Sequence, residues 1–363
     1  MSKLMVVALA LAVTAFAVLS AGAAAQGPEP PPQASKIAPD VRQALDALPA
    51  GGRLPVIVTF AEQADLGQVQ GATRAERLEW VVRTLQETAK RTQIPVRAEL
   101  QEQRLALGIE QVTYFWIFNG MSMTAAPEVI VEFASRPDVR SIELDETILA
   151  PAPASALPPA AGVSSISASE ENLTVINAPA LWQLGFQGQG VVVANMDSGV
   201  SVSHPDLATR WRGGTNSWFD PYGQHPTTPT DLTGHGTATM GVMVGGDAGG
   251  TDIGVAPLAR WIAVKIFDDQ GQATATAIHL GFQWLLDPDG DPSTADAPQV
   301  VSNSWRIGNT DCDLRFQLDL QALRAAGIVP VFSAGNTGPG DATSVSPANN
   351  PEAFAVSATD NAD

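Results

Sequence analysis

Cysteine is almost absent: Cys312 is the single thiol among 363 residues, so no intramolecular disulfide can form and stability has to come from packing. Its neighbours Asp311 and Asp313 oppose a thiolate, which reads the residue as structural and not as a nucleophile. Basic residues are scarce too, with 20 Lys and Arg against 38 Asp and Glu for a net charge of −18. Most of that charge lies late in the chain, where residues 169–363 hold 21 acidic and 7 basic side chains. Such a surface repels phosphate backbones and anionic headgroups, which argues against nucleic acid and membrane as partners. His204, His225 and His279 have no metal-binding spacing. No GxxxxGK[ST] block occurs, and Gly188-Gln189-Gly190 precedes its strand where a dinucleotide fingerprint would follow one, so nucleotide binding has no support.

Long apolar runs are absent after the first residues. The run from Leu4 to Leu19 follows Lys3 and ends in Ala23-Ala24-Ala25, which matches a secretory signal over residues 1–25 and is short for a membrane span. An exported protein, extracellular or of the cell envelope, is expected.

With 45% hydrophobic residues, the chain has material for two cores. Residues 26–52 read as a flexible lead-in, proline-rich from Gly27 to Gln33. Residues 53–149 then predict a small α+β layer in β-α-β-β-α-β order. Its parts are a strand Leu54–Phe60, a long helix Thr73–Leu107 interrupted near Pro95, and a strand pair from Val112 to Thr124 across an Asn119-Gly120 turn. A short helix opened by Pro127 and a strand Val139–Leu149 complete it. Residues 150–168 carry an uncharged PAPASALPPAAG stretch and read as an exposed linker.

From 169 to 363 strands alternate with helices. Strands are expected at 190–196, 261–267, 299–304, 328–333 and 353–358, and helices opening at His235 and over 273–286 and 314–326. The strands are continuous apolar runs, as in a parallel α/β sheet with helices on both faces. Ligands of such sheets sit beyond the carboxyl ends of the strands, where Asp197, Ser304 and Asn336 fall.

Asp197 ends an apolar strand, where a carboxylate is costly without a partner. His235 stands between Gly234 and Gly236 at a helix start, where small residues permit close approach to a strand. A carboxylate that orients an imidazole is the acid–base half of a nucleophilic triad.

The blocks VANMDSGV, HPDL, GHGTATMG, GVAP, NSW and SAGNTGPG resemble, in order, the signatures of subtilisin-like serine peptidases, with wording nearest to bacillopeptidase F-like members. The resemblance implies a secreted endopeptidase precursor in which Asp197 orients His235 as general base and Asn336 donates to the oxyanion. It implies that Ser304-Trp305 and Ala334-Gly335 line the substrate cleft. Arg306, where most relatives have glycine, turns to solvent or favours acidic substrate side chains. Asp206 matches a calcium ligand of many relatives, although Ala248 stands where a second oxygen is wanted. No cofactor is required for the chemistry; structural calcium is allowed. Asp287-Pro-Asp289-Gly-Asp291 reads as a solvated acidic turn. The amino-terminal layer resembles a ferredoxin-like propeptide that blocks the cleft in cis, with processing between Ala150 and Ser169.

The family's nucleophile lies in a Gly-Thr-Ser-Met-Ala-like block, and none occurs here. Ala342-Thr343-Ser344-Val345 follows Asn336 too closely to serve. The expectation is a chain cut before its serine segment and inactive as it stands. The alternative is a non-catalytic homologue that binds extended peptides along strand edges.

Overall fold

A computed structural model describes residues 36–151, 169–308 and 311–359. The signal-like segment and nearly all of the uncharged linker lie outside the described residues. The stretch expected to be a flexible lead-in contains helix α1 (Pro39–Asp46), with Pro39 in its first turn. Val41 is fully buried and Ile37 bridges to Ile142, so two apolar residues tie down a segment that its polar and proline-rich surroundings read as loose.

β1 (Leu54–Phe60) leads to α2 (Arg74–Gln103), opened by a capping box between Thr73 and Glu76. The expected interruption at Pro95 does not occur. Arg91 and Pro95 lie on the exposed face, where water can serve the Arg91 carbonyl that proline leaves without its donor. β2 (Glu110–Phe115) and β3 (Gly120–Ala125) are joined by residues 116–119, so the two-residue Asn119-Gly120 turn is also corrected. Asn119 is buried instead: its amide donates to the Glu62 carbonyl at 2.8 Å and Thr92 Oγ1 at 2.7 Å, and accepts from Gln93 Nε2 at 3.0 Å. After α3 (Pro127–Ser135), the strand expected over Val139–Leu149 divides into β4 (Val139–Leu144) and β5 (Thr147–Leu149). β4 completes an antiparallel sheet in the order β2-β3-β1-β4, whereas β5 leaves it.

The second region begins with two short helices that the sequence pattern did not indicate, α4 (Glu171–Val175) and α5 (Ala178–Gln183). β6 (Val192–Asp197), β7 (Trp218–Phe219), α6 (His235–Val244), β8 (Arg260–Lys265), β9 (Gln272–Thr274) and α7 (Ala275–Leu286) follow. β10 (Val300–Asn303), α8 (Gln317–Ala325), β11 (Val329–Ser333) and β12 (Phe354–Val356) complete the described elements. Six strands form a parallel sheet in the order β12-β11-β10-β6-β8-β7. The strand pleat divides its apolar residues. Val193, Trp261 and Ala263 pack with Met240 and Val244 of α6, while Ala194, Met196, Ile262 and Val264 pack with Ile278 and Phe282 of α7 and Leu320 of α8. Both faces are therefore covered, which is why β6 and β8 read as unbroken apolar runs.

The antiparallel sheet lies against α7 and α8, sharing one core through Ile57, Phe115 and Phe118. Gln283 of α7 accepts the backbone N–H groups of Trp116 and Ile117 at 2.7 and 3.2 Å. Asp145 caps the start of α7, accepting from Thr276 N at 2.8 Å and Thr276 Oγ1 at 2.7 Å. β5 then pairs antiparallel with β9, Ile148 opposite Ala273.

Candidate active site

β6 delivers Asp197 to the carboxyl end of the sheet with none of its surface exposed. α6 delivers His235 as its first residue, after Gly234 turns the chain in a left-handed conformation (φ +82°). The helix comes close to the strand because Gly236 has no side chain: a Cβ there would enter the Gly199 carbonyl oxygen and sit 3.1 Å from Asp197 Cβ. Asn195 of β6 ties the two elements, donating to the Gly236 carbonyl at 2.9 Å and to Thr239 Oγ1 at 3.0 Å.

The result is a hydrogen bond of 2.7 Å between His235 Nδ1 and Asp197 Oδ1. The Ser198 N–H also donates to Asp197 Oδ1, at 2.7 Å. Burial pushes the Asp197 carboxyl above its ordinary range, and the imidazole bond pulls the other way. The bond to Asp197 raises His235 above its ordinary value, outweighing its own partial burial. With Nδ1 committed to the carboxylate, Nε2 is the ring nitrogen left to exchange a proton. Among the described residues no hydroxyl bonds to it.

The remaining sequence candidates divide. Ser304 and Asn336 lie beyond β10 and β11, on the same edge of the sheet as Asp197, and Asn336 is exposed. Ala334, Gly335 and Asn336 line a groove of about 660 Å³ with Ser344 and Ser357. Ala334 is held by its backbone, donating to the Val356 carbonyl at 2.8 Å and accepting from Val345 N at 3.1 Å. The Trp305 side chain is buried edge-on against Phe316 and Phe332, at 5.9 and 5.5 Å between ring centroids, which leaves a part in a cleft to its backbone. Arg306 is exposed and donates to the Gly308 carbonyl at 3.3 Å, which favours the solvent-facing of its two readings.

Asp206 is buried, with Oδ1 accepting the Ala248 N–H at 2.6 Å. Among the described residues no group of three or more His, Cys, Asp and Glu side chains could hold a metal ion, so the donors beside Asp206 do not fit a calcium site built on such side chains. The acidic turn is half as expected. Asp289 and Asp291 are exposed and close local turns, accepting from Asp291 N and Ser293 N. Asp287 is instead buried and accepts from Gln86 Nε2 at 3.3 Å; burial and the carboxylates of Asp289 and Asp296 push it up to about 6.

Asp231, in the loop before His235, escaped the sequence reading. It accepts from Ser198 Oγ and from the backbone of Thr233, Gly234 and Thr237. The signal for it was available in the Thr-Asp-Leu-Thr-Gly-His-Gly wording, an aspartate placed to close an Asx turn directly before the histidine.

A parallel six-stranded sheet with helices on both faces, and a buried aspartate bonded to a helix-start histidine at its carboxyl edge, has the subtilisin-like α/β fold. Residues 188–363 match the family model described as Subtilase family. The chain is 35% identical over 311 residues to Bacillopeptidase F of Bacillus subtilis (strain 168), covering 79% of this chain and 21% of that protein. It is 32% identical over 192 residues to Subtilisin of Bacillus pumilus, covering 52% of this chain and 64% of the relative. With Thermitase of Thermoactinomyces vulgaris it shares 30% over 198 residues, 52% of this chain and 61% of the relative. The chain thus spans less than two thirds of each of these relatives. No described helix is long and apolar enough to cross a membrane.

Proposed function

We propose that this chain is part of a secreted serine endopeptidase precursor in which Asp197 and His235 form the acid–base half of the catalytic triad. The observation that carries the reading is the 2.7 Å bond between a fully buried Asp197 and His235 at the carboxyl edge of the sheet. Asp197 fixes the imidazole with its proton on Nδ1, and His235 Nε2 takes the nucleophile's proton as the acyl-enzyme forms. The imidazolium, stabilised by Asp197, returns that proton to the leaving amine. Asn336 is the oxyanion donor of this proposal, as its place beyond β11 allows. The nucleophile comes from a Gly-Thr-Ser block, which is not among residues 1–363.

The pairing of β5 with β9 lays a strand of the amino-terminal layer on the second region, which supports a role in cis for that layer. The apolar run and the small residues of 1–25 support export.

The test is hydrolysis of an unfolded protein by the full-length gene product, beside its His235→Ala variant. Cleavage that the substitution abolishes is expected, as is loss of activity in acid. His235 sits above its ordinary value, so the active neutral imidazole is lost as pH falls through that raised value. Tight binding of extended peptides without cleavage by the full-length product would instead establish the non-catalytic homologue.

A further inference from the structure

α6 starts without a side-chain cap at Gly234, yet its first N–H groups are all served. His235 N donates to Thr233 Oγ1 at 3.4 Å, Gly236 N to Ser198 Oγ at 2.9 Å and Thr237 N to Asp231 Oδ2 at 2.8 Å. Every one of these acceptors leads to Asp231. Its Oδ1 takes Ser198 Oγ at 3.0 Å, Thr233 N at 3.0 Å, Thr233 Oγ1 at 3.2 Å and Gly234 N at 2.9 Å. Its Oδ2 takes Thr237 Oγ1 at 2.6 Å besides Thr237 N. Thr237 Oγ1 in turn accepts the Ser201 N–H at 2.9 Å.

These bonds close a ring through the site. Ser198 follows Asp197 at the end of β6, donates its own N–H to Asp197 and its hydroxyl to Asp231. Asp231 grips the residues on both sides of His235, and His235 closes the ring onto Asp197. The partners of Asp231 are all donors, so the position suits a group that only accepts; an amide would turn an NH₂ toward one set of them. Burial opposes its charge, but the bonds from Thr237, Gly234 and Ser198 outweigh it and hold the carboxyl below its ordinary range.

We propose that Asp231 is a positioning residue for His235, locking the turn that carries the imidazole to the strand end that carries Asp197. This rests on the proteolytic reading of the site. Asp197 from β6 and Asp231 from the loop are the charged groups that act on His235, both raising it. Glu170 and His204 line the same groove as Asp231. Without Asp231 the turn loses its common acceptor, and the imidazole loses both its placement and one of the two negative charges that favour its protonation.

The test has two arms. Carbon-13-labelled imidazole NMR gives the titration midpoint of His235 in the 363-residue chain, and steady-state kinetics of the full-length gene product separates kcat from KM. Asp231→Asn should lower the midpoint and reduce kcat by about tenfold to a hundredfold while KM stays within about twofold. An unmoved midpoint, or an undiminished kcat, overturns the proposal. Should Asp231→Asn fail to fold, Ser198→Ala keeps both charges and cuts the link between Asp231 and the Gly236 N–H. There kcat should fall about tenfold with the midpoint unchanged, and an unaltered kcat overturns the proposal. If the parent hydrolyses nothing, the proteolytic reading fails while the titration arm still reports on Asp231.

Discussion

Gly236→Ala tests how the fold makes the site. The added Cβ would overlap the Gly199 carbonyl oxygen and approach Asp197 Cβ to 3.1 Å, and both neighbours belong to the stretch leaving β6. Backbone cannot rotate away as a side chain does, so α6 must retreat by about 1 Å to restore ordinary van der Waals separation. Overpacking of this kind costs about 1–3 kcal/mol, or roughly 2–12 °C in Tm for a unit of this size. The larger effect is local: a 2.7 Å bond between His235 and Asp197 does not survive a 1 Å displacement of the element that bears the histidine. Misplacement on that scale lowers kcat by about a hundredfold. The control is Gly234→Ala, whose Cβ meets nothing within 4 Å but sits at φ +82°. It should lose about 1–2 kcal/mol through backbone strain and keep α6 seated on β6. Thermal unfolding and hydrolysis by the full-length gene product give both quantities. The reasoning is refuted if Gly236→Ala keeps activity within twofold, or if the two alanines lose kcat equally.

Asp287→Asn should stabilise the chain above pH 6 by up to about 3 kcal/mol and do nothing below pH 4. The sign follows from a carboxyl raised to about 6 in the folded state: the folded chain holds its proton longer, so stability falls as pH rises from about 4 to 6. Urea unfolding at pH 3.5 and pH 8 measures the difference. Asp319→Ala should cost about 3–5 kcal/mol, because His279, bonded to Asp319 at 3.0 Å and ringed by Phe115, Phe118 and Phe316, would lose its buried partner. Replacing the pair together, as His279→Phe with Asp319→Leu, should recover most of that loss in the same unfolding assay.

The sheet region was legible because burial on two faces leaves continuous apolar runs: β10 and β11 fall within the stretches expected as strands, and β6 and β8 overrun theirs by one residue each. What the pattern could not give were features decided by distant partners. β5 looks like the end of β4 in one dimension, and only the exposed edge of β9 explains why the chain leaves its own sheet. Pro95 reads as a breaker until its exposure is known, and nothing local to Trp305 tells that its indole packs among Phe282, Phe316 and Phe332. Asp197 and His235 were recoverable because their glycine-rich surroundings serve a close approach that the sequence writes locally. Asp231 was legible only as a turn former in the loop before the histidine; its weight in the site comes from Ser198, 33 residues away along the chain.

Labelling with a fluorophosphonate puts the proteolytic reading to its most direct trial, because such a reagent bonds to a serine hydroxyl only when a neighbouring base activates it. The full-length gene product should take up one adduct, on a serine in a Gly-Thr-Ser block, and His235→Ala should suppress it. No adduct on the parent, or equal labelling of the variant, would show that the Asp197–His235 pair activates no nucleophile.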